Sequence, residues 1–355
     1  MQTDELIELV KNGIQAPSAD NMQPWKFKIL NDQIDLFLDK EKIHNFCDEG
    51  YFSPYLSAGA AIENIGVAAL QMGYKMMTHY LPEKNHPLHV ANLSFSKTEP
   101  IHHPHAAAIK MRHTNRKFYQ PSKRMEAALQ TRLQMTVQPE RDFQLLWIEK
   151  GSHHYRELTK LIGESDQLRF ENQRLHKEFM QTLRISRQEI MTKDGLDYRS
   201  LEAGPGSSLL FKLISSWQRI KFLNHLGLSR MFNLYAQAQM KSSQACGLII
   251  SNEHALPHYL KGGAVMQRLW HEVTVQGLSL QPMEALPIFI LMLNHTGCPG
   301  FDLKQKRELE RLKVAFNSLF RLKGNEGLIF LFRIGYGLAP TARSARRDVQ
   351  SFLMK

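Results

Sequence analysis

The hydrophobic pattern switches between a helical and a strand period along the chain, which predicts an α+β protein. Aliphatic residues at helical spacing predict a first helix from Asp4 to Ile14. The alternating stretches WKFKIL and IDLFLD flank the turn NDQ and predict a β-hairpin. The later apolar runs HPLHVANLSF, FQLLWI, ACGLIIS and GLIFLFRIGYG predict further strands, and helical patterns separate them.

A polar loop separates the first helix from the hairpin. Within APSADNMQPWKF (16–27), Pro17 and Ser18 form a predicted turn, and the Ser18 hydroxyl and the amides of Asn21 and Gln23 lie at the start of a predicted strand. Such groups suit a planar ligand with polar edges. An ordinary turn that ends a helix and starts a strand has the same composition, so the loop alone does not establish a site.

An internal repeat divides the chain into two related parts. The stretch SAGAAIENIGVAALQMGY (57–74) aligns without a gap with KGGAVMQRLWHEVTVQGL (261–278), with identities at 59/263, 60/264 and 73/277. Small side chains on these helices allow another backbone to approach closely. We predict two fused units: 1–98 as the first half, 99–111 as a linker, and 112–355 as the second half with a helical insertion at about 155–240.

Length and composition limit the classes of protein to which this chain can belong. The chain has 355 residues, of which 43% are hydrophobic, enough for two packed domains. No apolar run is long enough for a membrane span, and the N-terminus is typical of a helix rather than a signal peptide. Cys47, Cys246 and Cys298 lie far apart without a CxxC pair, which favours a cytoplasmic protein without a disulfide framework or a zinc site.

The formal net charge of +11 is compatible with nucleic acid, an acidic surface, or an anionic cofactor beside a solvated basic face. We favour the last of these. The histidine-rich stretch HHPH, with His102, His103 and His105, favours a solvated linker over a metal site. Cys246 lies in an apolar run and is predicted to be a buried small residue rather than a nucleophile.

The two halves differ in their polar motifs. RHTNR (112–116) has no counterpart before the first helix, the PSADNMQPW loop has no copy in the second half, and the basic tail ARSARR occurs once. If the halves pack as a pseudo-dimer, these unique segments build one complete site at their interface.

These motifs, with the QPME loop and the small-residue helix, resemble the FMN-dependent nitroreductase family. Members are usually homodimers that bind FMN at the subunit interface, and a tandem chain resembles the fused Acg-type branch. The resemblance implies a nitroreductase-like α+β fold in which two related units, each a mainly antiparallel sheet flanked by helices, form a pseudo-dimer. It does not account for the insertion, which is a candidate lid over the flavin.

The resemblance also implies a set of cofactor-binding residues and no metal site. Two guanidiniums and a hydroxyl in RHTNR suit a phosphate dianion, although a solvated basic stretch has the same composition. The implied phosphate residues are Arg112, Thr114 and Arg116, with His113 nearby, Arg346 and Arg347 from the tail, and Arg343 as a further candidate. The implied flavin contacts are Pro17, Ser18, Asn21 and Gln23 at the isoalloxazine edge or ribityl chain, and Gln281, Pro282, Met283 and Glu284 against the ring, with a backbone N–H near N5.

The function implied by the resemblance is hydride transfer from NAD(P)H to FMN and onward to a nitroaromatic, a quinone or a similar small-molecule electron acceptor. One alternative is a flavin storage or sequestration protein whose lidded site turns over little. A second is a basic nucleic-acid-binding or scaffold protein. We expect no membrane partner and no nucleic-acid partner, and either a monomer built as a fused pseudo-dimer or a homodimer.

Overall fold

Two four-stranded antiparallel sheets with the same topology form the framework of the protein. The structure, a computed structural model, describes residues 1–43, 50 and 52–354. The first sheet has the order β1-β2-β4-β3, with strands Trp25–Leu30 (β1), Gln33–Leu38 (β2), Tyr74–Tyr80 (β3) and His89–Lys97 (β4). The second has the order β5-β8-β10-β9, with strands Phe143–Glu149 (β5), Ala245–Ser251 (β8), Ser279–Pro282 (β9) and Gly327–Gly335 (β10). Because the strands correspond one to one, the predicted α+β fold with two related units is confirmed.

Helices flank both sheets and fill the region between β5 and β8. They are Thr3–Gly13 (α1), Phe52–Gln71 (α2), Ala106–Met111 (α3), Ala127–Val137 (α4), His153–Glu171 (α5), Gln173–Thr182 (α6), Arg187–Ile190 (α7), Ser207–Leu213 (α8), Trp217–His225 (α9), Leu228–Ser242 (α10), Leu256–Val275 (α11), Ala285–Thr296 (α12) and Leu303–Phe320 (α13). A short parallel pair, Leu183–Arg184 (β6) and Leu196–Asp197 (β7), lies within the same region. In the described part of the chain, no helix is long and apolar enough to cross a membrane.

The central contact of the fold joins α2 to α11, the two helices of the sequence repeat. A methyl group added to Gly59 would collide with the carbonyl oxygen of Leu260, and one added to Gly263 would collide with that of Leu56. Leu56 and Leu260 occupy equivalent positions of the repeat, so the contact is two-fold symmetric. The two backbones approach closely because both positions lack a side chain.

Polar pairs along the same helices keep this symmetry. Glu63 accepts two hydrogen bonds from the guanidinium of Arg268, both at 3.1 Å. Asn64 Oδ1 accepts a hydrogen bond of 2.8 Å from Gln267 Nε2. Because 63 and 64 align with 267 and 268, each pair is the symmetry mate of the other. The repeat is therefore a structural pseudo-dimer as well as a sequence alignment.

Several predicted elements have different limits in the structure. Strand β3 is not among the predicted strands: Gly73 reverses the chain with φ +79° directly after α2, and the residues that follow pair with β4. The predicted loop around QPME likewise contains strand β9, and the predicted linker contains α3. Cys246 is fully buried, as predicted, while Cys47 lies outside the described residues. The exact boundaries of the two halves stay a prediction.

Gly263→Ala tests the backbone contact between the halves. The new methyl group meets backbone atoms of Leu56, which cannot move aside as a flexible side chain can. We expect the free energy of unfolding to fall by about 3 kcal/mol, measured by urea denaturation. Gly66→Ala in α2 is the matched control, because its methyl group meets only the terminal carbon of Met76 at 2.9 Å. An equal loss of stability in both variants would contradict the close-contact explanation.

Candidate functional site

A cavity of about 350 Å³ lies where segments of both halves meet. The first half contributes the loop 15–21 and the start of α2, and the second contributes 110–116, 281–285 and the tail 342–346. Residues of α5 and the segment around Ser200, both within the insertion, complete the wall. The volume is in the range of pockets that bind small molecules.

The cavity brings together most of the residues that the sequence singled out. Its lining includes Pro17, Ser18, Asn21, Arg112, His113, Thr114, Arg116, Gln281, Pro282, Met283, Glu284 and Arg346, and also the further candidate Arg343. Two predicted site residues, Gln23 and Arg347, are not among the lining residues. They pair with each other through a hydrogen bond of 3.0 Å from Arg347 N–H to Gln23 Oε1, in the layer behind the loop.

The RHTNR segment lies beside β9 at the cavity wall. Thr114 forms a parallel bridge with Leu280, and Asn115 N–H donates to the Leu280 carbonyl at 2.9 Å. This attachment places Arg112, Thr114 and Arg116 at the cavity, and His113 lines it as well.

The polar loop is held in an unusual backbone conformation. Asp20, Asn21 and Gln23 have φ of +46°, +56° and +55°, a region that non-glycine residues seldom occupy. Asn21 Nδ2 donates to Gly195 O at 3.2 Å, and Gln23 Nε2 donates to Lys193 O at 2.8 Å. The side-chain amides of Asn21 and Gln23 thus attach the insertion to the polar loop.

The tail arginines hold the loop from the other side. Arg346 donates from Nε to Ile14 O at 2.7 Å, from Nη1 to Asn21 Oδ1 at 2.8 Å, and from Nη2 to Ala16 O at 2.8 Å. Arg347 stacks over Phe352 at 4.4 Å. Because the guanidinium donors of Arg346 are used within the protein, its main contributions to the cavity are shape and positive charge.

Arg112, in contrast, has unused hydrogen-bond donors. Its side chain is 7% exposed, stacks over Trp270 at 4.6 Å, and donates from Nη2 to Gln15 O at 3.1 Å. Its Nε has no partner among the described residues, and no described carboxylate pairs with it. Burial, and then the charge of Arg346, lower the pKa of Arg112 to about 9. A buried cation without a counterion is costly, and an anionic ligand would stabilise it.

A second cationic region lies at the insertion side of the cavity. Arg116 donates from Nη1 to Ser200 O at 3.2 Å, and burial lowers its pKa although Asp20 opposes the shift. Arg169 of α5 lines the cavity, with no hydrogen-bond or ion-pair partner among the described residues. The sequence analysis missed Arg169, because α5 carries many charges and periodicity alone does not separate a cavity-facing arginine from solvated ones.

Burial raises the pKa of two carboxyl groups in the cavity wall. Burial raises the pKa of Glu284 to about 8, although the Leu331 N–H donates to its Oε1 at 2.7 Å. Burial also raises the pKa of Asp166 on α5, against the influence of Arg169. Because the raised pKa keeps Glu284 largely protonated at neutral pH, this group adds little negative charge beside the cavity arginines.

A fully buried arginine that the sequence analysis did not identify fixes the wall around Gln281. Arg333 on β10 donates to Gln281 Oε1 at 2.7 Å, to Lys117 O at 2.8 Å and to Gln239 O at 2.8 Å. It also stacks over Tyr119 at 4.0 Å. This network joins the QPME segment, the end of RHTNR and α10 into one rigid wall.

The histidine-rich linker differs in part from the prediction of a solvated segment. His102 is exposed, but His105 is buried and its Nε2 lies 3.0 Å from Glu272 Oε2. The solvated prediction is therefore wrong for His105, because α3 docks its start against α11. His271 is fully buried nearby, and burial holds its pKa well below the usual value. No group of three possible metal ligands occurs among the described residues.

Two sequence relatives come from Mycobacterium tuberculosis. An uncharacterised protein of strain CDC 1551 is 24% identical over 353 residues, which cover 97% of this chain and 47% of that protein. The protein acg of the same strain, provisionally named an NAD(P)H nitroreductase, is 32% identical over 117 residues, which cover 32% of this chain and 35% of that protein. The chain thus spans about half the length of the first relative and about a third of the second.

Among solved structures, the FMN- and NADPH-dependent nitroreductase NfnB of sphigopyxis sp. strain HMH is 12% identical, with a TM-score of 0.39. The match covers 70% of this chain and 96% of that one. No family model matches the chain. The matches to relatives named as nitroreductases confirm the resemblance to that family predicted from the motifs.

The raised pKa of Glu284 predicts a specific dependence of stability on pH. The folded protein keeps this proton up to about pH 8, whereas the unfolded chain releases it near pH 4.5. The native state therefore loses stability as the pH rises between these values, by as much as about 4 kcal/mol. Glu284→Gln should remove this loss. Urea denaturation at pH 5 and pH 8 should then show a smaller difference in the free energy of unfolding for this variant than for the wild type. The exposed Glu99→Gln is the control, and identical pH dependence in wild type and Glu284→Gln would contradict the assignment.

Proposed function

We propose that this chain, a sequence relative of the nitroreductases, binds FMN in the cavity between its halves and is an NAD(P)H-dependent oxidoreductase. The observation that carries the proposal is Arg112, a buried guanidinium with unused donors and no counterion among the described residues. A cation in this state calls for an anionic ligand, and the phosphate of FMN has the matching charge and hydrogen-bond acceptors.

The phosphate end of the ligand is assigned to the side of the cavity where Arg112 lies. Thr114 supplies a hydroxyl beside it, and the exposed Arg343 adds charge at the rim. Arg346 adds charge as well, but its hydrogen bonds position the loop 14–21. We therefore assign Arg112 to direct phosphate binding and Arg346 to positioning the loop that faces the ligand.

The planar end is assigned to the wall formed by Gln281–Glu284 and Trp270. Apolar groups of Met266, Ile288 and Phe330 line the same cavity and suit an aromatic ring system. Arg116 and Arg169 contribute positive charge that favours electron uptake by a bound flavin, and the protonated Glu284 adds no opposing charge. FMN, when bound, supplies the hydride and electron chemistry, and the protein binds, orients and tunes it.

A second candidate function is flavin storage with little turnover, and the insertion favours it. The backbone carbonyls of Lys193, Gly195 and Ser200 accept hydrogen bonds from Gln23, Asn21 and Arg116, so this part of the insertion is attached to the polar loop and to RHTNR at the cavity wall. An insertion held this close to the cavity would limit the entry of a nicotinamide or an acceptor. The two candidates share the FMN site and differ in access to it.

Comparison of FMN with riboflavin tests the phosphate assignment. Arg112→Ala removes charge-assisted hydrogen bonds to the phosphate, so we expect FMN affinity to fall at least about tenfold while riboflavin affinity changes little. Fluorescence titration of both flavins measures the difference. Arg132→Ala, an exposed arginine on α4, is the matched control. Equal losses for the two flavins, or no loss for FMN, would contradict the assignment.

Anaerobic reduction of the reconstituted protein separates the candidate functions. An oxidoreductase predicts bound flavin whose visible absorbance bleaches with NADPH or NADH and returns when a quinone or nitroaromatic is added. A storage protein predicts bound flavin that neither nicotinamide bleaches, although dithionite does. A protein that stays colourless after FMN is added would contradict both candidates, and salt-sensitive DNA binding would then support the nucleic-acid alternative.

A further inference from the structure

The helices α8, α9 and α10 of the insertion present large apolar side chains to solvent. These side chains are 45–72% exposed, namely Leu209, Leu213, Phe222, Leu226, Met231 and Leu234. On the opposite sides of the same helices, Phe211, Ile214 and Ile220 are buried in a core formed within the insertion. A helix that is apolar on two sides needs a partner on each, and the described residues of this chain cover only one of them.

The charge around these side chains has one sign. Residues 203–252 contain no aspartate or glutamate, while Lys212, Arg219, Lys221, Arg230 and Lys241 are all exposed. In α9 the basic and apolar positions adjoin, as Lys221 is followed by Phe222 and His225 by Leu226. We call the exposed residues 209–234 of these helices the basic-apolar surface.

We propose that the basic-apolar surface docks on an anionic lipid bilayer. Exposed leucine, methionine and phenylalanine side chains enter the boundary between head groups and acyl chains, and the adjoining lysines and arginines attract anionic head groups. This mode of attachment needs no membrane-spanning helix. It is independent of the proposed flavin chemistry. It departs from the expectation of no membrane partner, which rested on the absence of a membrane-spanning segment.

Two other occupants fit the surface less well. A two-fold contact with a second copy would place the same cations against each other, which opposes association. Nucleic acid would satisfy the cations, but most of the exposed apolar side chains are aliphatic and would gain nothing from phosphates or stacking. An anionic bilayer forms favourable contacts with both the cations and the apolar side chains.

The acidic side chains of the groove beside α10 are engaged within the fold. Glu164 and Glu308 both accept hydrogen bonds from Arg311. Glu171 in the same groove accepts one of 2.8 Å from Ser229. Leu226 and Arg230 of the basic-apolar surface line this groove as well, but the carboxylates themselves belong to α5 and α13.

Vesicle flotation with the full chain tests the proposal. We expect the protein to float with vesicles that contain phosphatidylserine, to float far less with phosphatidylcholine alone, and to dissociate as salt is raised. Phe222→Ser/Leu226→Ser should lower the partition coefficient at least about tenfold. Arg219→Gln/Lys221→Gln should lower it about fivefold for each charge removed. All four positions are exposed, so native-like thermal unfolding should be retained.

Matched controls carry the same chemical changes on other surfaces. Met77→Ser/Met135→Ser removes apolar groups that are 72% and 59% exposed, and Lys75→Gln/Lys97→Gln removes two exposed charges from the first sheet. These variants should bind vesicles like the wild type. No flotation, equal flotation with neutral vesicles, or equal losses in the controls would overturn the proposal. Self-association or duplex DNA binding that depends on Phe222 and Leu226, without vesicle binding, would assign the surface to a second copy or to nucleic acid instead.

Discussion

The close approach of α2 and α11 is the constraint on which the rest of the structure depends. Gly59 and Gly263 each face a backbone carbonyl of the other helix, so the two halves have little freedom to shift or rotate against each other. This fixed crossing sets the loop 15–21 of the first half against RHTNR and the tail of the second. The cavity forms between segments that are distant in sequence, because Gly59 and Gly263 fix the separation of the two halves. Arg112 stacks on Trp270 of α11, so the same helix that forms the contact also supports the cavity wall.

A symmetric framework here carries an asymmetric site. The sheets and the central helices repeat, but RHTNR, the polar loop and the arginine tail each occur once. The tail returns to the first half, where Met354 N–H donates to Phe27 O at 2.8 Å, and this crossing brings Arg346 onto the loop. The chain therefore carries one copy of each segment that the proposed site at its internal interface requires.

The repeat and the polar motifs were predictable because they depend on residue identity in short stretches. The cavity collects these motifs from four distant segments, as the pseudo-dimer requires. The roles of Arg346 and Arg347 were not predictable, since a guanidinium that binds carbonyls and one that binds a phosphate look alike in sequence. Arg169 and the buried Arg333 were missed for a related reason: their positions depend on how α5 and β10 pack. Strands β3 and β9 were missed because they follow a helix after only two and three residues, with glycine turns that are also typical of loops.

The number of flavins bound per chain tests the central claim of an asymmetric pseudo-dimer most directly. Isothermal titration calorimetry of the purified chain with FMN measures this number together with the affinity. The account predicts one FMN per chain, because the arginine segment and the polar loop meet once. Two equivalent sites per chain would show that the second interface is also functional, and one FMN per two chains would show that the site requires a partner copy. Either result would contradict a single site completed within one chain.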